Sequence, residues 1–370
     1  MTRLLIAAGG TGGHIYPGLA IAREFAARHP DAQVSFVATK RDLEGKIISE
    51  IGFDIHLIRA EPLRGGSLLR KIKSAFVLFP ALSDARRLLS KLQPDAVVGV
   101  GGYISGPLLL SASRQGIPTL ILEPNYVPGL TNKWLARWVD AAAVAWEETT
   151  QHFRGKAFVA GNPVRPEIGA VSDLKLADES VANSKGSPSL CRGAPLHVLL
   201  FGGSQGSRVL NDAMIAALAC LPDGSAEITH QTGQSDLERV RAAYAASNFP
   251  ARIQSYLPNM EQEYARCHVV VSRAGATTCA ELAAAGRGAI LVPLQLAGGH
   301  QRHNAEALQR QGAALLLEEA DLDGPTLAAT LIQLANNPER CVQMGRQARR
   351  NAKPEATAQI VDALDRMLSE

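Results

Sequence analysis

The apolar positions of the chain alternate between two patterns. Short uninterrupted apolar runs, rich in Val, Ile, Leu and Ala, are typical of strands buried on both faces. Between them lie longer segments whose apolar residues recur at helical spacing. Strands that alternate with helices indicate a doubly wound parallel α/β sheet. The predicted strands are Arg3–Ala8, Gln33–Ala38, Ile55–Arg59, Asp95–Val100, Pro118–Leu122, Lys156–Ala160, Leu196–Phe201, His268–Ser272 and Ala289–Pro293. Two more short strands are predicted just before His230–Gly233 and Tyr256–Met260.

The strand–helix series occurs twice along the chain, whose length of 370 residues suits two domains. The first series ends near a turn-rich segment from Gly161 to Pro166, which suits a hinge. We therefore predict a first domain over residues 1–163 and a second over 164–353. An amphipathic helix of about 354–370 is predicted to pack back on the first domain. The polar segment 171–195 lacks apolar periodicity and is predicted to be a mobile surface loop.

The composition excludes several classes of protein. Hydrophobic residues make up 46% of the chain and charged residues 20%, which excludes global disorder. A net charge of +3, without a basic–aromatic motif, predicts no nucleic-acid partner. We expect no signal peptide, and no apolar run approaches the roughly 18 residues that span a bilayer. The five cysteines are widely spaced without a C-x-x-C pair, which indicates reduced thiols in a cytosolic protein.

Glycine-rich turns follow three of the predicted strands and precede helices. They lie at Gly9–His14, Gly101–Pro107 and Gly202–Ser207. Glycines let the backbone approach a ligand closely, and a helix N-terminus attracts phosphate. Their spacing is neither G-x-G-x-x-G nor G-x-x-x-x-G-K-[ST], which argues against a dinucleotide cofactor and against ATP hydrolysis.

The stretch from His268 to Asn304 has the pattern of a nucleotide site. A buried strand leads through a small-residue turn into an Ala-rich helix, predicted from about Thr277 to Ala285. Glu281 lies four residues after Thr277, on the same helical face and too far along the helix to cap it. A carboxylate there suits two hydrogen bonds from a ribose diol. The alternative is an ordinary βαβ unit with a surface glutamate.

His14 follows the first glycine turn at the start of a predicted helix. An imidazole titrates near neutrality, so this residue is a candidate general base. The alternative is a helix-capping or structural histidine, and the residue pattern leaves both open.

Apolar and basic residues are interleaved between about Leu63 and Gln93, and Pro80 is predicted to interrupt the helical pattern. Basic residues that flank an apolar face fit a helix lying in a membrane interface beside anionic lipid. The alternative is a helix that faces the core and has solvated charges.

Taken in chain order, these motifs resemble the MurG family of glycosyltransferases. The matching segments are Gly9–His14, Gly101–Pro107, Pro128–Asn132, Gly161–Arg165, Gly202–Gly206, Arg273–Glu281, His300–Gln301 and Asn304–Ala305. The resemblance implies a GT-B fold, in which two Rossmann-like doubly wound domains face each other across a cleft. It also implies an inverting transfer of N-acetylglucosamine from UDP-N-acetylglucosamine to the 4-hydroxyl of the N-acetylmuramoyl unit of lipid I, which yields lipid II for peptidoglycan. The family implies no tightly bound cofactor, no required divalent cation, and a peripheral position on the cytoplasmic face of the cell membrane.

The resemblance also assigns roles to individual residues. It implies that the donor nucleotide contacts Ser204, Leu257, Gly275, Ala276, Thr277, Thr278, Cys279, Ala280 and Glu281. The sugar would be reached by Gln301 and Asn304, and from the first domain by Thr11, Gly12, Gly13, Asn125 and Arg165. The acceptor diphosphate would face Gly10, Gly101, Gly102 and Tyr103, with His14 as the candidate base. The membrane patch would consist of Lys71, Lys73, Phe76 and Phe79.

The chain departs from the family pattern at three places. Leu122 and Pro124 stand in a segment that is usually His-Glu-Gln-Asn, and Gly299 stands where an acidic residue is usual. The Ser- and Asn-rich segment near 181–190 is longer than the family needs. Other functions that share a donor motif are a different GT-B transferase, a UDP-sugar epimerase and a non-catalytic nucleotide-binding partner.

Overall fold

The structure is a computed structural model that describes residues 1–9, 12–39, 52–59, 68–176, 189–190, 193–295 and 299–369, with backbone alone for 68–78, 175–176 and 189–190. Residue contacts divide the chain into two compact units. The first unit is Met1–Arg165 with Lys353–Glu370, and the second unit is Pro166–Ala352. These divisions lie close to the domain ends predicted at 163 and 354.

The first unit is built on a sheet of seven strands, all parallel, in the order β3-β2-β1-β4-β5-β6-β7. Parallel strands are buried on both faces, which explains the continuous apolar runs. The strands are β1 Arg3–Ala8, β2 Gln33–Ala38, β3 Asp54–Leu57, β4 Ala96–Gly101, β5 Thr119–Glu123, β6 Ala141–Val144 and β7 Ala157–Val159.

Helices cover both faces of this sheet. They are α1 Gly12–Arg28, α2 Leu68–Leu92, α3 Ser105–Ser113 and α4 Leu130–Leu135, with a 3-10 helix at Glu147–Phe153. Alternate residues of β1 serve the two faces: Leu4 and Ile6 pack with Phe25 of α1, whereas Leu5 and Ala7 belong to the core that includes Leu89 of α2. The sheet is therefore doubly wound, as predicted.

The C-terminal helix belongs to the first unit. It spans Ala356–Ser369, and its Ile360 and Leu364 are fully buried in the core beside α1. At the rim, Arg28 pairs with Asp362 at 2.5 Å and His29 with Asp365 at 2.8 Å. Burial of the apolar face holds the helix on α1, since exposed ion pairs contribute little.

The second unit repeats the architecture with six parallel strands in the order β12-β11-β10-β13-β14-β15. These strands are β10 Leu196–Phe201, β11 Ala226–Gln231, β12 Ala251–Gln254, β13 Val269–Ser272, β14 Gly288–Leu291 and β15 Ala314–Leu316. The helices are α5 Pro166–Gly169, α6 Arg208–Leu218, α7 Leu237–Ala245, α8 Met260–Arg266, α9 Ala276–Ala285, α10 His300–Arg310, α11 Gly324–Asn336 and α12 Pro338–Arg350, with α13 being the C-terminal helix of the first unit. A 3-10 helix lies at Glu319–Asp321.

Every predicted strand is present, with ends that shift by no more than two residues. In the two large sheets, two of the described strands were absent from the prediction: β6, whose sequence is AAAV, and the short β15. The prediction that Pro80 interrupts the helical pattern is wrong, because α2 continues through it. Pro17 lies inside α1, which begins at Gly12.

The segment predicted as a surface loop, 171–195, is partly structured at its described ends. Val171 and Leu174 are buried, and Leu174 belongs to the core of the second unit. Two short strands, β8 Lys175–Leu176 and β9 Ser189–Leu190, pair in parallel. The polar centre of the segment, 177–188, lies outside the described residues.

Candidate functional site

The glycine turns lie at the point where each sheet reverses its strand order. In the first unit this point is between β1 and β4, and in the second it is between β10 and β13. Parallel α/β sheets bind ligands outside the carboxyl ends of the strands at such points. The strand order alone therefore brings together the turns after β1 and β4 in the first unit and the turns after β10 and β13 in the second.

In the first unit, the turns after β1 and β4 touch through their backbones. A Cβ added to Gly102 would lie 2.5 Å from the carbonyl oxygen of Gly9, and Gly102 has a φ of +77°. Both the space and the left-handed backbone require glycine. Gly10 and Thr11 lie outside the described residues, whereas Gly12 and Gly13 form the first turn of α1.

His14 is oriented by the turn that follows β4. Its Nδ1 lies 3.2 Å from the carbonyl oxygen of Val100, and because a carbonyl only accepts, the ring N–H donates. The ring also fills the space above Gly101, where an added Cβ would lie 2.6 Å from it. With Nδ1 protonated, the neutral ring has its proton-accepting lone pair on Nε2. The structure therefore places His14 between the two glycine turns in the tautomer that a general base needs.

Asn125 is positioned by a buried carboxylate that sequence reasoning did not single out. Glu123, 1% exposed, accepts from the backbone and side-chain amides of Asn125 at 3.0 and 2.9 Å. Its other oxygen accepts from Gly129 N and Asn132 Nδ2, each at 2.9 Å. An acid at the end of a buried strand, followed by Asn and Gly, was the available signal. Leu122, where the family usually has histidine, is buried in the core instead.

Arg165 lies in the first unit near the start of α1. Its guanidinium carbon is 4.9 Å from the centroid of the Tyr16 ring, two residues after His14. Tyr103 is half-buried in the turn after β4. The structure thus brings Gly13, His14, Tyr103 and Arg165 to the carboxyl end of the first sheet.

In the second unit, the turn Gly202–Ser207 packs on the turn after β11. Gly206 has a φ of +74°, and an added Cβ would lie 2.1 Å from the carbonyl oxygen of Thr232. Ser207 caps α6, and its hydroxyl accepts from Arg273 Nε at 3.2 Å. Ser204 is exposed on this turn. Ser204 is therefore accessible to a ligand at the carboxyl end of β10.

A buried polar network stabilises the turn after β11, on which the turn Gly202–Ser207 packs. Asn211 Nδ2 donates to Thr232 O at 3.0 Å and to Asp236 Oδ2 at 2.8 Å. Its Oδ1 accepts from His230 Nε2 at 3.0 Å, and Tyr244 donates to His230 Nδ1 at 3.2 Å. Burial lowers the pKa of His230 to about 4. The imidazole is therefore neutral and holds the network in one arrangement.

Arg273, which opens the donor motif, is almost fully buried. Its guanidinium pairs with Glu319 and donates to Val292 O at 3.2 Å as well as to Ser207. These partners tie the ends of β13 and β14 to the glycine turn. Arg273 thus stabilises the turns after β10, β13 and β14.

The N-terminus of α9 opens the predicted diphosphate site. Gly275 precedes the helix with extended backbone, and the first intrahelical bond runs from Cys279 N to Gly275 O at 2.9 Å. The amides of Ala276, Thr277 and Thr278 therefore precede that bond at the positive end of the helix dipole. Gly286 follows the helix in the left-handed conformation, with a φ of +62°.

Glu281 lies one turn further along α9 and is 8% exposed. Its Oε2 accepts a hydrogen bond from the hydroxyl of Tyr264 in α8 at 3.0 Å. Glu281 is therefore not a surface residue: its carboxylate is buried and bonded to α8. Its contact with a ribose stays a prediction.

The remaining donor residues surround the same edge of the second sheet. Gln301 Oε1 accepts from Leu294 N at 2.9 Å, which fixes the amide of this half-buried residue. Asn304 is fully buried, and its Nδ2 donates to Ala274 O at 3.2 Å. The Nδ2 group of Asn304 thus holds the turn before α9. The contact of Asn304 with the sugar stays a prediction. Leu257 is buried in the turn after β12.

The predicted membrane patch is described only in part. Phe79 is 71% exposed on α2, whereas the side chains of Lys71, Lys73 and Phe76 lie outside the described part of the chain. In the described ranges no helix is both long and apolar enough to cross a bilayer.

Sequence reasoning missed two exposed tryptophans near that helix. Trp134 and Trp138 are 42% and 38% exposed, and Lys133 and Arg137 beside them are exposed as well. Trp134 lies in α4 and Trp138 in the turn that follows it; α4 packs on α3, as α2 does. Two basic–aromatic pairs spaced one helical turn apart were the available signal.

The described residues contain no cluster of three or more His, Cys, Asp or Glu side chains placed to hold a metal ion. The prediction that no tightly bound cofactor and no divalent cation is required stays a prediction.

Comparisons with known proteins bear on both units. A family model described as the glycosyltransferase family 28 N-terminal domain matches residues 4–144, and the family 28 C-terminal domain model matches 197–360. A curated relative from Pelobacter propionicus, named UDP-N-acetylglucosamine--N-acetylmuramyl-(pentapeptide) pyrophosphoryl-undecaprenol N-acetylglucosamine transferase, is 41% identical over 98% of each chain.

Solved structures agree with these matches. The crystal structure of Acinetobacter baumannii MurG is 30% identical, covers 99% of this chain and 100% of its own, and has a TM-score of 0.76. The UDP-GlcNAc 2-epimerase from Neisseria meningitidis covers 99% of this chain and 100% of its own with a TM-score of 0.67, but at 13% identity it shows the fold alone. The predicted GT-B fold class is confirmed. The chain belongs to the MurG family of glycosyltransferases, within glycosyltransferase family 28.

Proposed function

We propose that this glycosyltransferase moves N-acetylglucosamine from UDP-N-acetylglucosamine to the 4-hydroxyl of the N-acetylmuramoyl unit of lipid I, which yields lipid II. The observation that carries the proposal is the start of α9, where backbone amides and the buried Glu281 lie together at the point of strand reversal. That pair suits a nucleoside diphosphate: amides for phosphate and a carboxylate for ribose. The names of the curated relatives supply the donor and acceptor.

The donor diphosphate is the leaving group, and its negative charge grows in the transition state. The amides of residues 276–278 and the dipole of α9 face that charge, together with the turn that contains Ser204 and Gly206. Preorganised dipoles of this kind are usually the largest single contribution to catalysis. The second unit thus contains the groups that would stabilise the departing UDP.

The sugar of the donor requires polar contacts that orient its anomeric carbon. Gln301 is suited to this because its Oε1 is fixed by Leu294 N, which directs its Nε2 donors. Asn125 and Arg165 in the first unit are proposed as further sugar contacts, and the Glu123 carboxylate orients Asn125. Gly299, a glycine with a φ of +60° before α10, offers no acid there.

Inversion requires the acceptor hydroxyl to lose a proton as it attacks. His14 is the proposed base: Nδ1 donates to Val100 O, so Nε2 accepts the proton. The turn at Gly101, Gly102 and Tyr103 is proposed to face the acceptor diphosphate, since it lies at the carboxyl end of β4 and packs against His14.

A UDP-release assay tests this function. The protein is incubated with UDP-N-acetylglucosamine, with and without a soluble lipid I analogue, and UDP and disaccharide products are measured. We expect stoichiometric UDP and lipid II analogue only when the acceptor is present. Conversion of the donor without acceptor would identify an epimerase, and binding without release would identify a non-catalytic partner.

We also propose that the enzyme lies on the cytoplasmic face of the cell membrane, where its acceptor lipid is anchored. Phe79, Trp134 and Trp138 are exposed, and Lys133 and Arg137 stand beside the tryptophans. Aromatic rings suit the headgroup region, and basic side chains attract anionic lipid. Phe79 lies in α2 and Trp134 in α4, and both of these helices pack on α3; Trp138 follows in the turn after α4.

Replacing both Trp134 and Trp138 with alanine is expected to weaken binding to phosphatidylglycerol vesicles at least ten-fold. Burying roughly 60 Å² of each ring is worth about 1.5 kcal/mol. Vesicle co-sedimentation measures the effect, with Tyr256→Ala, an exposed aromatic of the second unit, as the control. Unchanged vesicle binding in the double variant would contradict the assignment.

A further inference from the structure

The carboxylate of Glu281 is held by a tyrosine that no sequence motif indicated. Tyr264 lies in α8 and is fully buried, and its hydroxyl donates to Glu281 Oε2 at 3.0 Å. A hydrogen bond to an ionised acceptor is stronger than one between neutral groups. It therefore restricts the side-chain torsions of Glu281 and sets the direction of its carboxylate.

Tyr264 is itself held from two sides. Its ring packs edge-on against Phe201, the last residue of β10, with centroids 6.4 Å apart and an interplanar angle of 77°. Its carbonyl oxygen accepts from Arg287 Nε at 2.7 Å. These two contacts fix the position of Tyr264, and therefore the position of the hydroxyl that binds the Glu281 carboxylate.

Arg287 connects this tyrosine to the far end of the donor helix. It is fully buried and also donates to the carbonyl oxygens of Ala285 and Gly286, at 3.0 and 3.2 Å. A cation at a helix C-terminus is favourable because it complements the helix dipole. The helices α8 and α9 are therefore joined twice, by Arg287 at the C-terminus of α9 and by Tyr264 beside Glu281.

A carboxylate that must accept from two ribose hydroxyls benefits from being held before the ligand arrives. A glutamate loses side-chain entropy when a ligand orders it, and prior ordering removes that cost from binding. One donor from Tyr264 leaves acceptor capacity on a carboxylate that has about four lone-pair sites.

We propose that Tyr264 is the positioning residue of the donor site: its hydroxyl fixes the Glu281 carboxylate and so determines recognition of the ribose diol. The proposal rests on the proposed function, because it takes a uridine nucleotide as the ligand of Glu281. Tyr264 acts through Glu281 and does not contact the nucleotide.

Calorimetric titrations with UDP and with 2′,3′-dideoxy-UDP test this assignment in the wild type, Tyr264→Phe, Glu281→Ala and the double variant. Phenylalanine retains the ring against Phe201 and removes only the hydroxyl. We expect Tyr264→Phe to raise the Kd for UDP about ten-fold and to change the Kd for the dideoxy nucleotide less than about two-fold. In the Glu281→Ala background the tyrosine substitution should not alter the ratio of the two Kd values further.

Tyr244→Phe is the matched control, since it removes another buried hydroxyl of the second unit, one that donates to His230. It should leave the ratio of the two Kd values unchanged. If Tyr264→Phe weakens both nucleotides equally, or weakens neither, the positioning role is overturned while the proposed function stands. A wild type that binds both nucleotides equally overturns the ribose role of Glu281 and with it this inference, whereas failure of the proposed function shows separately, as absence of acceptor-dependent UDP release.

Discussion

Replacing His14 with alanine is expected to lower kcat for lipid II formation about 10²- to 10⁴-fold, the range of a general base. The Kd for UDP-N-acetylglucosamine should change little, since the nucleotide is assigned to the second unit and His14 lies in the first. Alanine removes the proton acceptor and leaves the turn at Gly101 without the ring that packs on it. Steady-state kinetics at saturating donor and acceptor measure the loss.

The dependence of kcat on pH separates a base from a structural histidine. If His14 is the base, the acid limb of the wild-type profile should disappear in the alanine variant, because no group then titrates in that role. His152→Ala, which removes a half-buried histidine elsewhere in the first unit, is the control and should retain the limb. Near-normal kcat in His14→Ala would show that His14 is not the base.

Acidification is expected to destabilise the second unit between about pH 6.5 and pH 4. Burial lowers the pKa of His230 to about 4, and burial with the neighbouring His197 lowers the pKa of His268 to about 3. The unfolded chain protonates these rings near pH 6.5. Below that pH the unfolded state binds more protons than the folded state, so stability falls as pH falls. Above pH 6.5 both states are neutral and the full stability is present.

Each histidine contributes a slope of about 1.4 kcal/mol per pH unit in this window, so the pair removes on the order of 5 kcal/mol by pH 4. Urea unfolding followed by circular dichroism at pH 7 and pH 5 measures the slope. His230→Gln retains a donor towards Asn211 and should remove about half of it. The control His152→Gln should keep the wild-type slope. If His230→Gln also keeps the wild-type slope, the prediction is contradicted.

The fold could be predicted where one local pattern determined an element. Buried strands such as β1 and β13 have continuous apolar runs, and parallel topology then places the turns after them at one edge. The strand β6 was missed because its Ala-Ala-Ala-Val sequence has little strand preference of its own and pairs only through its neighbours β5 and β7. Tertiary packing likewise maintains α2 through Pro80, which local reasoning treats as an interruption.

The site could be predicted in its glycines and in Glu281 but not in the residues that support them. Tyr264 acts through a partner 17 residues away that only the folded chain brings near. The partners of Glu123 are close in sequence, but they reach its carboxylate only because the turn after β5 folds back on it. The exposure of Trp134 in α4 depends on how that helix packs on α3, which the local sequence does not specify. Asn304 shows the reverse, since a residue assigned to the sugar also has a buried bond to the turn before α9.

Calorimetric titration of UDP into the wild type and into Glu281→Ala tests the central claim most directly, namely that the second unit binds a uridine nucleotide through the start of α9 and the buried carboxylate. We predict measurable UDP binding by the wild type and a Kd at least ten-fold higher for Glu281→Ala, because hydrogen bonds to a charged group contribute about 1.5 to 3 kcal/mol. Glu238→Ala, which removes an exposed carboxylate of the same unit, should bind like the wild type. Absence of UDP binding in the wild type, or an unchanged Kd in Glu281→Ala, would contradict the account.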